Sequence, residues 1–242
     1  MEFNYKVIVS YDGKNYHGWA KQPNHVTIQE VIENTLSKIF DSKIRINGSG
    51  RTDAFVHANN QVFNFKAKKK FASVQLLKSL NEMLPNDIVV KDIENVNNKF
   101  HAQFNVILKE YVYWISLDKN NVFYNDYALF HNKKINIKKI KEASKLLIGR
   151  HDFLSFSISE NENTVREIKT IKTIKKNNFI IISVVGTGFL RGMVRMIVGT
   201  LLDYSDGKKT INDIKKLLLN PKKGSAITKV KACGLYLNKV KY

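Results

Sequence analysis

The stretch Phe3-Asn4-Tyr5-Lys6-Val7-Ile8-Val9-Ser10-Tyr11 decides the fold, because Tyr5, Val7, Val9 and Tyr11 alternate with polar or outward positions and read as a β-strand. Thr27 then opens a helix, with Glu30 three residues on as a predicted capping box. Ile28, Val31, Ile32, Thr35, Leu36, Ile39 and Phe40 form its apolar face. Lys43–Asn47 and Gln61–Phe65 read as strands. Ser73–Leu84 reads as a second helix with Leu76, Leu77, Leu80 and Met83 inward, ended by Pro85. Ile88–Ile93 closes a β-α-β-β-α-β unit of ferredoxin-like type.

The same order returns loosely downstream. Lys109–Leu117 is a strand rich in aromatics, and Asn136 caps a helix through Ile137, Ile140, Ala143 and Leu147, with Gly149 at its end. Glu167–Ile174 and Phe179–Val185 form a hairpin around Lys175–Asn178. Phe189–Leu202 reads as an apolar helix, Thr210 caps another, and Leu235–Val240 is a final strand. The expected fold is therefore α+β: two ferredoxin-like halves, residues 1–105 and 106–242, with mainly antiparallel sheets flanking a central cleft.

Charge narrows the function. Among 242 residues, 40 are Lys or Arg and 21 are Asp or Glu, a formal net charge of +19. That excess points to a polyanionic partner. It is uneven, with 14 basic and 10 acidic side chains in residues 1–105 but 26 and 11 in residues 106–242, net +4 against net +15. Only six basic residues are Arg: 45, 51, 150, 166, 191 and 195. The apolar stretch Phe179–Val185 is far too short to span a bilayer, and Met1–Tyr5 lacks the character of a secretory signal. The single cysteine, Cys233, excludes an internal disulfide framework and a Cys-rich zinc site. The six histidines show no metal-ligand spacing. A cytoplasmic location is expected.

Three segments have the residues for chemistry. Gly48-Ser49-Gly50-Arg51-Thr52-Asp53 leaves a strand and lacks the lysine of a phosphate-binding Walker loop. It reads either as an ordinary polar turn or as a loop presenting Asp53 as nucleophile or base, with Arg51 facing a phosphate or a base. In Phe189–Gly199, Arg195 lies among apolar neighbours and is expected to be buried, which demands a carboxylate from elsewhere in the chain. Arg191, one turn earlier, is expected nearer the helix start and solvent. Lys109-Glu110-Tyr111-Val112-Tyr113-Trp114 sets Tyr111 and Tyr113 on one strand face, either as core residues or to stack on unpaired bases. His57 follows Asp53 by four positions and reads as a satisfied structural histidine or as a group supporting the loop from behind.

At these residues a resemblance becomes specific. Tyr11-Asp12-Gly13, Tyr16, Gly18-Trp19, Gln22 and Thr27-Ile28-Gln29 resemble the opening of the TruA family of tRNA pseudouridine synthases. Gly50-Arg51-Thr52-Asp53-Ala54-Phe55-Val56-His57-Ala58 is similar to that family's signature loop, with Phe55 where glycine is usual. Tyr111, Gly149–Phe156, Phe189–Gly199 and Gly234–Leu237 match later motifs in order. Lys109-Glu110 departs from the two basic residues that often precede the tyrosine, and Lys229–Lys231 from a Pro-containing stretch.

The resemblance implies a pseudouridine synthase fold and an isomerase acting on uridines 38, 39 and 40 of the tRNA anticodon stem-loop. It implies a homodimer and neither a metal nor an organic cofactor. It assigns Asp53 as the catalytic nucleophile, with Arg195 and Tyr111 beside it, and Tyr111, Arg51, His57 and Arg191 as substrate-binding groups. An RNA-binding protein without catalysis and a methyltransferase are the competing readings.

Overall fold

The computed structural model describes residues 2–158 and 163–242. It falls into two compact units, Met1–Ile107 with Tyr236–Tyr242, and Leu108–Leu235.

In the first unit, β1 (Phe3–Tyr11), α1 (Ile28–Phe40), β2 (Ile46–Gly48), β3 (His57–Ala67), α2 (Ser73–Met83) and β4 (Ile88–Val96) follow the predicted order. β1 pairs antiparallel with β3 on one side and β4 on the other, and β2 pairs antiparallel with β3. The resulting order, β4-β1-β3-β2, is ferredoxin-like. The alternation of β1 is realised in full: Tyr5, Val7, Val9 and Tyr11 are all buried. Its core is aromatic, with Tyr5 stacked on Phe65 at 5.1 Å and Phe40 edge-on to Phe65 at 5.6 Å. Ile28, Ile32 and Leu36 of α1 and Leu76 and Leu80 of α2 complete it.

Two local expectations fail. Thr27 occupies the N-cap position of α1, but its side chain makes no capping bond and its hydroxyl is buried without a partner. The carbonyls of Gly18 and Trp19 take the Ile28 and Gln29 amides instead, at 3.1 and 3.0 Å. A preceding loop thus caps the first two amides of the helix in place of the Thr27 side chain. Met83 is 47% exposed rather than inward, because it sits in the last turn of α2, where the chain is already leaving for β4.

The second unit comprises β5 (Leu108–Ser116), β6 (Leu129–Phe130), α3 (Ile137–Leu147), β7 (Gly149–Asp152), β8 (Val165–Lys176), β9 (Phe179–Gly186), α4 (Met193–Ser205) and α5 (Ile211–Leu219). Its sheet runs β5-β9-β8-β7 in antiparallel pairs, with the short β6 parallel to β5. The β8–β9 hairpin turns at Asn177, which adopts φ 51°, a conformation that Asn tolerates better than most residues. Asn136 caps α3 as predicted, accepting from the Lys139 amide at 3.2 Å. Gly149 does not cap that helix. Its φ of +112° opens β7 instead.

α4 begins at Met193, not Phe189, because Gly192 has φ +78° and cannot continue a right-handed helix. Arg191 therefore lies in the turn before the helix. The last strand, β10 (Leu235–Lys241), pairs Tyr236 and Leu237 in parallel with His57 and Ala58 of β3. Asn59 and Asn60 also bond to Asn238, and these contacts hold Tyr236–Tyr242 in the first unit, although sequence order assigns them to the second half.

The capping box of α5 is complete, with Thr210 Oγ1 accepting from the Asp213 amide and Asp213 accepting from the Thr210 amide. Thr210→Ala should lower stability by about 1 kcal/mol. The check is a lower denaturation midpoint at unchanged slope.

Candidate active site

Residues 49–56 join β2 to β3 and are held from both ends. Ser49 donates from its hydroxyl to Gln61 Oε1 at 2.6 Å, and Gln61 Nε2 donates to the Gly50 carbonyl at 2.9 Å. At Thr52 the hold is tighter. Its Oγ1 shares a 2.8 Å hydrogen bond with the Tyr11 hydroxyl, and its carbonyl accepts the Trp19 amide at 3.1 Å. Burial pushes the Tyr11 phenol far above its usual range, with the bonds to Thr52 and Gln61 offsetting part of that rise. The hydroxyl thus stays protonated and keeps its bonding role.

Gly18 makes the close approach possible. Its φ is +93°, and a Cβ there would lie 2.5 Å from the Thr52 carbonyl oxygen. The Phe55 amide donates to the Tyr16 carbonyl at 3.3 Å, and the Val56 amide to the Asp53 carbonyl at 3.2 Å. Asp53 thus sits half-buried at the tip of a loop whose neighbours on both sides are fixed, with Arg51 exposed two residues before it. A carboxylate presented this way can reach a ligand without the loop first having to order.

His57 is only 2% exposed. Its Nδ1 accepts the Gly13 amide at 3.1 Å and lies 3.0 Å from Asp12 Oδ1, while its ring stacks on Tyr236 at 4.7 Å. These contacts fix the start of β3 beneath the loop; direct contact with a substrate would need a more exposed edge.

In the second unit, Tyr111 of β5 is 7% exposed and meets Phe189 edge-on, ring centroids 5.1 Å apart at 83°. Arg195 lies in the first turn of α4 and is half-buried, not buried as its apolar neighbours suggested. Its Nε donates to the Val230 carbonyl at 2.8 Å, and the Val230 amide donates back to the Arg195 carbonyl at 3.4 Å. Gly199 lets this strap lie against the helix, since a Cβ there would run into the Thr228 carbonyl. A cation in the first turn faces the positive end of the helix dipole, a cost of about 0.3–1 kcal/mol that a bound anion would reverse. Arg191 is exposed in the turn before α4, and its carbonyl accepts the Ile158 amide at 3.3 Å. Lys109, two residues before Tyr111, has its ammonium pushed down by burial to about 8.

Sequence reasoning missed two parts of this arrangement. One is the Gly13–Trp19 segment as the clamp on the Asp53 loop, which the Tyr-Asp-Gly and Gly-Trp pairs signalled. The other is Phe189 as the ring against Tyr111, which had no signal beyond its place in a motif.

Comparison with known proteins gives this geometry a family. A family model described as tRNA pseudouridine synthase matches residues 7–105 and 143–242, well over half of the chain. The tRNA pseudouridine synthase A of Malacoplasma penetrans is 47% identical over 240 residues, covering 98% of this chain and 99% of the relative. The chain belongs to the TruA family of tRNA pseudouridine synthases. Ureaplasma parvum has a tRNA pseudouridine synthase A that is 44% identical over 241 residues, covering 99% and 100% of the two chains. The tRNA pseudouridine synthase A 2 of Bacillus thuringiensis is 39% identical over 243 residues, covering 99% of each. Members of this family are isomerases, and the α+β architecture and the enzyme class read from the sequence both stand with that membership. A solved chain titled "Crystal Structure of a Cbf5-Nop10-Gar1 Complex" is similar over 81% of this chain and 54% of its own, at 12% identity and a TM-score of 0.34, too remote to add to the assignment.

Two predictions follow from the geometry. Gly18→Ala should destabilise the protein by more than about 2 kcal/mol, because it adds a collision with Thr52 to an unfavourable φ. Gly207→Ala, at φ +78° with nothing within 4 Å of the new Cβ, isolates the backbone cost alone and should lose about 1 kcal/mol. Equal losses in urea melts would show that the Gly18–Thr52 contact does not constrain the loop. For Lys109, NMR titration of the side-chain Cε should show a midpoint near 8. Between that pH and the ordinary lysine value of about 10.4, the unfolded chain binds more protons than the folded one, so this residue's contribution to stability should rise with pH. Lys109→Met should remove that slope.

Proposed function

We propose that the chain converts uridine to pseudouridine at positions 38, 39 and 40 of the tRNA anticodon stem-loop, with Asp53 as the catalytic carboxylate. The observation that supports this most is the fixed loop, which presents a half-buried carboxylate in a chain similar to tRNA pseudouridine synthases along nearly its whole length. The reaction breaks the bond from C1′ to N1 of uracil, turns the detached base and rejoins it from C1′ to C5. N1 gains a proton and C5 loses one, so no external oxidant or reductant is required.

Asp53 acts at the ribose, by adding to C1′ or by removing the C2′ proton, and must be ionised for either step. Arg195 is assigned to the same step as the catalytic cation, a role its fixed planar fork suits better than an ammonium. Tyr111, backed by Phe189, packs against the uracil and keeps it in place while it turns. Arg51 fills the gap left in the stem by the extruded nucleotide. Arg191 is placed on a phosphate, and His57 acts from beneath the loop by positioning it. A homodimer gripping one stem-loop and a cytoplasmic location complete the reading. Among the described residues no helix is long and apolar enough to cross a membrane.

Nucleoside analysis of unmodified tRNA after incubation tests the assignment. Asp53→Asn should cut pseudouridine formation by more than about a thousandfold while leaving tRNA binding nearly intact, since phosphate contacts lie elsewhere. Arg195→Lys should also be impaired, because an ammonium does not reproduce a two-pronged contact. Turnover by Asp53→Asn at the wild-type rate would defeat the catalytic role. Binding should weaken steeply with salt, at a log–log slope equivalent to several phosphate contacts.

A further inference from the structure

Phe55 has φ 64°, the left-handed region that favours glycine and penalises a bulky aromatic. Its ring is 51% exposed, so core packing does not account for a phenylalanine here. The turn is nevertheless a fixed one, with the Phe55 amide bonded to the Tyr16 carbonyl. An unfavourable backbone carrying an exposed ring, two residues from Asp53, calls for a use of the ring itself.

Two further exposed rings stand beside it. His17 and His25 stack with centroids 4.1 Å apart at 26°, and His17 meets Phe55 tilted, at 6.4 Å and 50°. Both histidines are anchored through the backbone. The His17 amide donates to the Val26 carbonyl at 3.0 Å, the His17 carbonyl accepts from Gln22 Nε2 at 2.7 Å, and His25 bridges to Gln22. The result is a short row of aromatic faces on fixed loops at the rim of the Asp53 turn.

We propose that Phe55, flanked by His17 and His25, is a stacking platform for a nucleobase next to the target uridine. The proposal rests on the RNA substrate assigned above. The α-carbons of Asp53 and Phe55 are at most about 7 Å apart, so a base on Phe55 lies close to the nucleotide at Asp53. Every base offers a π-face, so such a platform holds the RNA without reading its sequence. The net charge of +19 favours a polyanion over a protein partner at this rim.

An anticodon stem-loop RNA carrying 2-aminopurine at either neighbour of the target uridine tests this, because stacking on an aromatic ring quenches that base. Wild-type protein should quench the fluorescence on binding. Phe55→Leu and Phe55→Gly should lose the quench and bind about tenfold more weakly, and Phe55→Trp should keep both. His17→Ala should give a smaller loss. Glycine suits the backbone at this position, so a loss in Phe55→Gly does not come from misfolding. Quenching and affinity unchanged from wild type in Phe55→Gly would overturn the platform while leaving the activity standing. Absence of pseudouridine from the wild-type reaction would instead sink the activity, and a quench lost in Phe55→Gly would still stand for the platform.

Discussion

The hydrogen bond from the Trp19 amide to the Thr52 carbonyl, with the bare α-carbon of Gly18 beside it, is the contact on which the arrangement around Asp53 depends. It joins two loops of opposite origin. One leaves β1 and runs into α1, and the other leaves β2 and runs into β3. The same Gly18–Trp19 stretch supplies the carbonyls that cap α1. One short segment therefore sets both the start of the helix and the height of the carboxylate. Any side chain at Gly18 would push these apart, which explains why glycine stands there better than flexibility does.

This economy separates what was legible in the sequence from what was not. The strand–helix order of the first unit could be read because period-two and helical apolar patterns are local, and Tyr5, Val7 and Val9 are buried as that pattern requires. Glu30 three residues after Thr27 suggested a capping box, but the helix end is served by carbonyls ten residues before the amides they accept, and a local rule has no view of that partner. The start of α4 was misplaced for the opposite reason. Phe189 and Leu190 look helical by composition, while Gly192 turns left-handed just before Met193. The placing of β10 next to His57 rests on pairing across most of the chain length, which no short window contains.

The candidate site shows the same division. Asp53 and Arg51 were visible because two glycines, a serine and a threonine crowd one turn, and the family resemblance then gave them roles. Arg195 was noticed because a lone cation in an apolar run needs a partner. Its observed bond to the Val230 carbonyl could not be read, since that strap is irregular and carries no period. Phe55 was visible only as a departure from glycine. Its positive φ and its exposed ring appear only in the structure.

Amide hydrogen exchange at Trp19 and Phe55 in the free protein tests most directly the claim that Asp53 is held on a pre-formed loop. If Thr52 and Tyr16 accept these amides as described, both should exchange far more slowly than unstructured chain, at rates comparable with the ends of β1 and β3. Exchange of both amides at the open-chain rate would contradict the account, because the loop would then order only when RNA arrives.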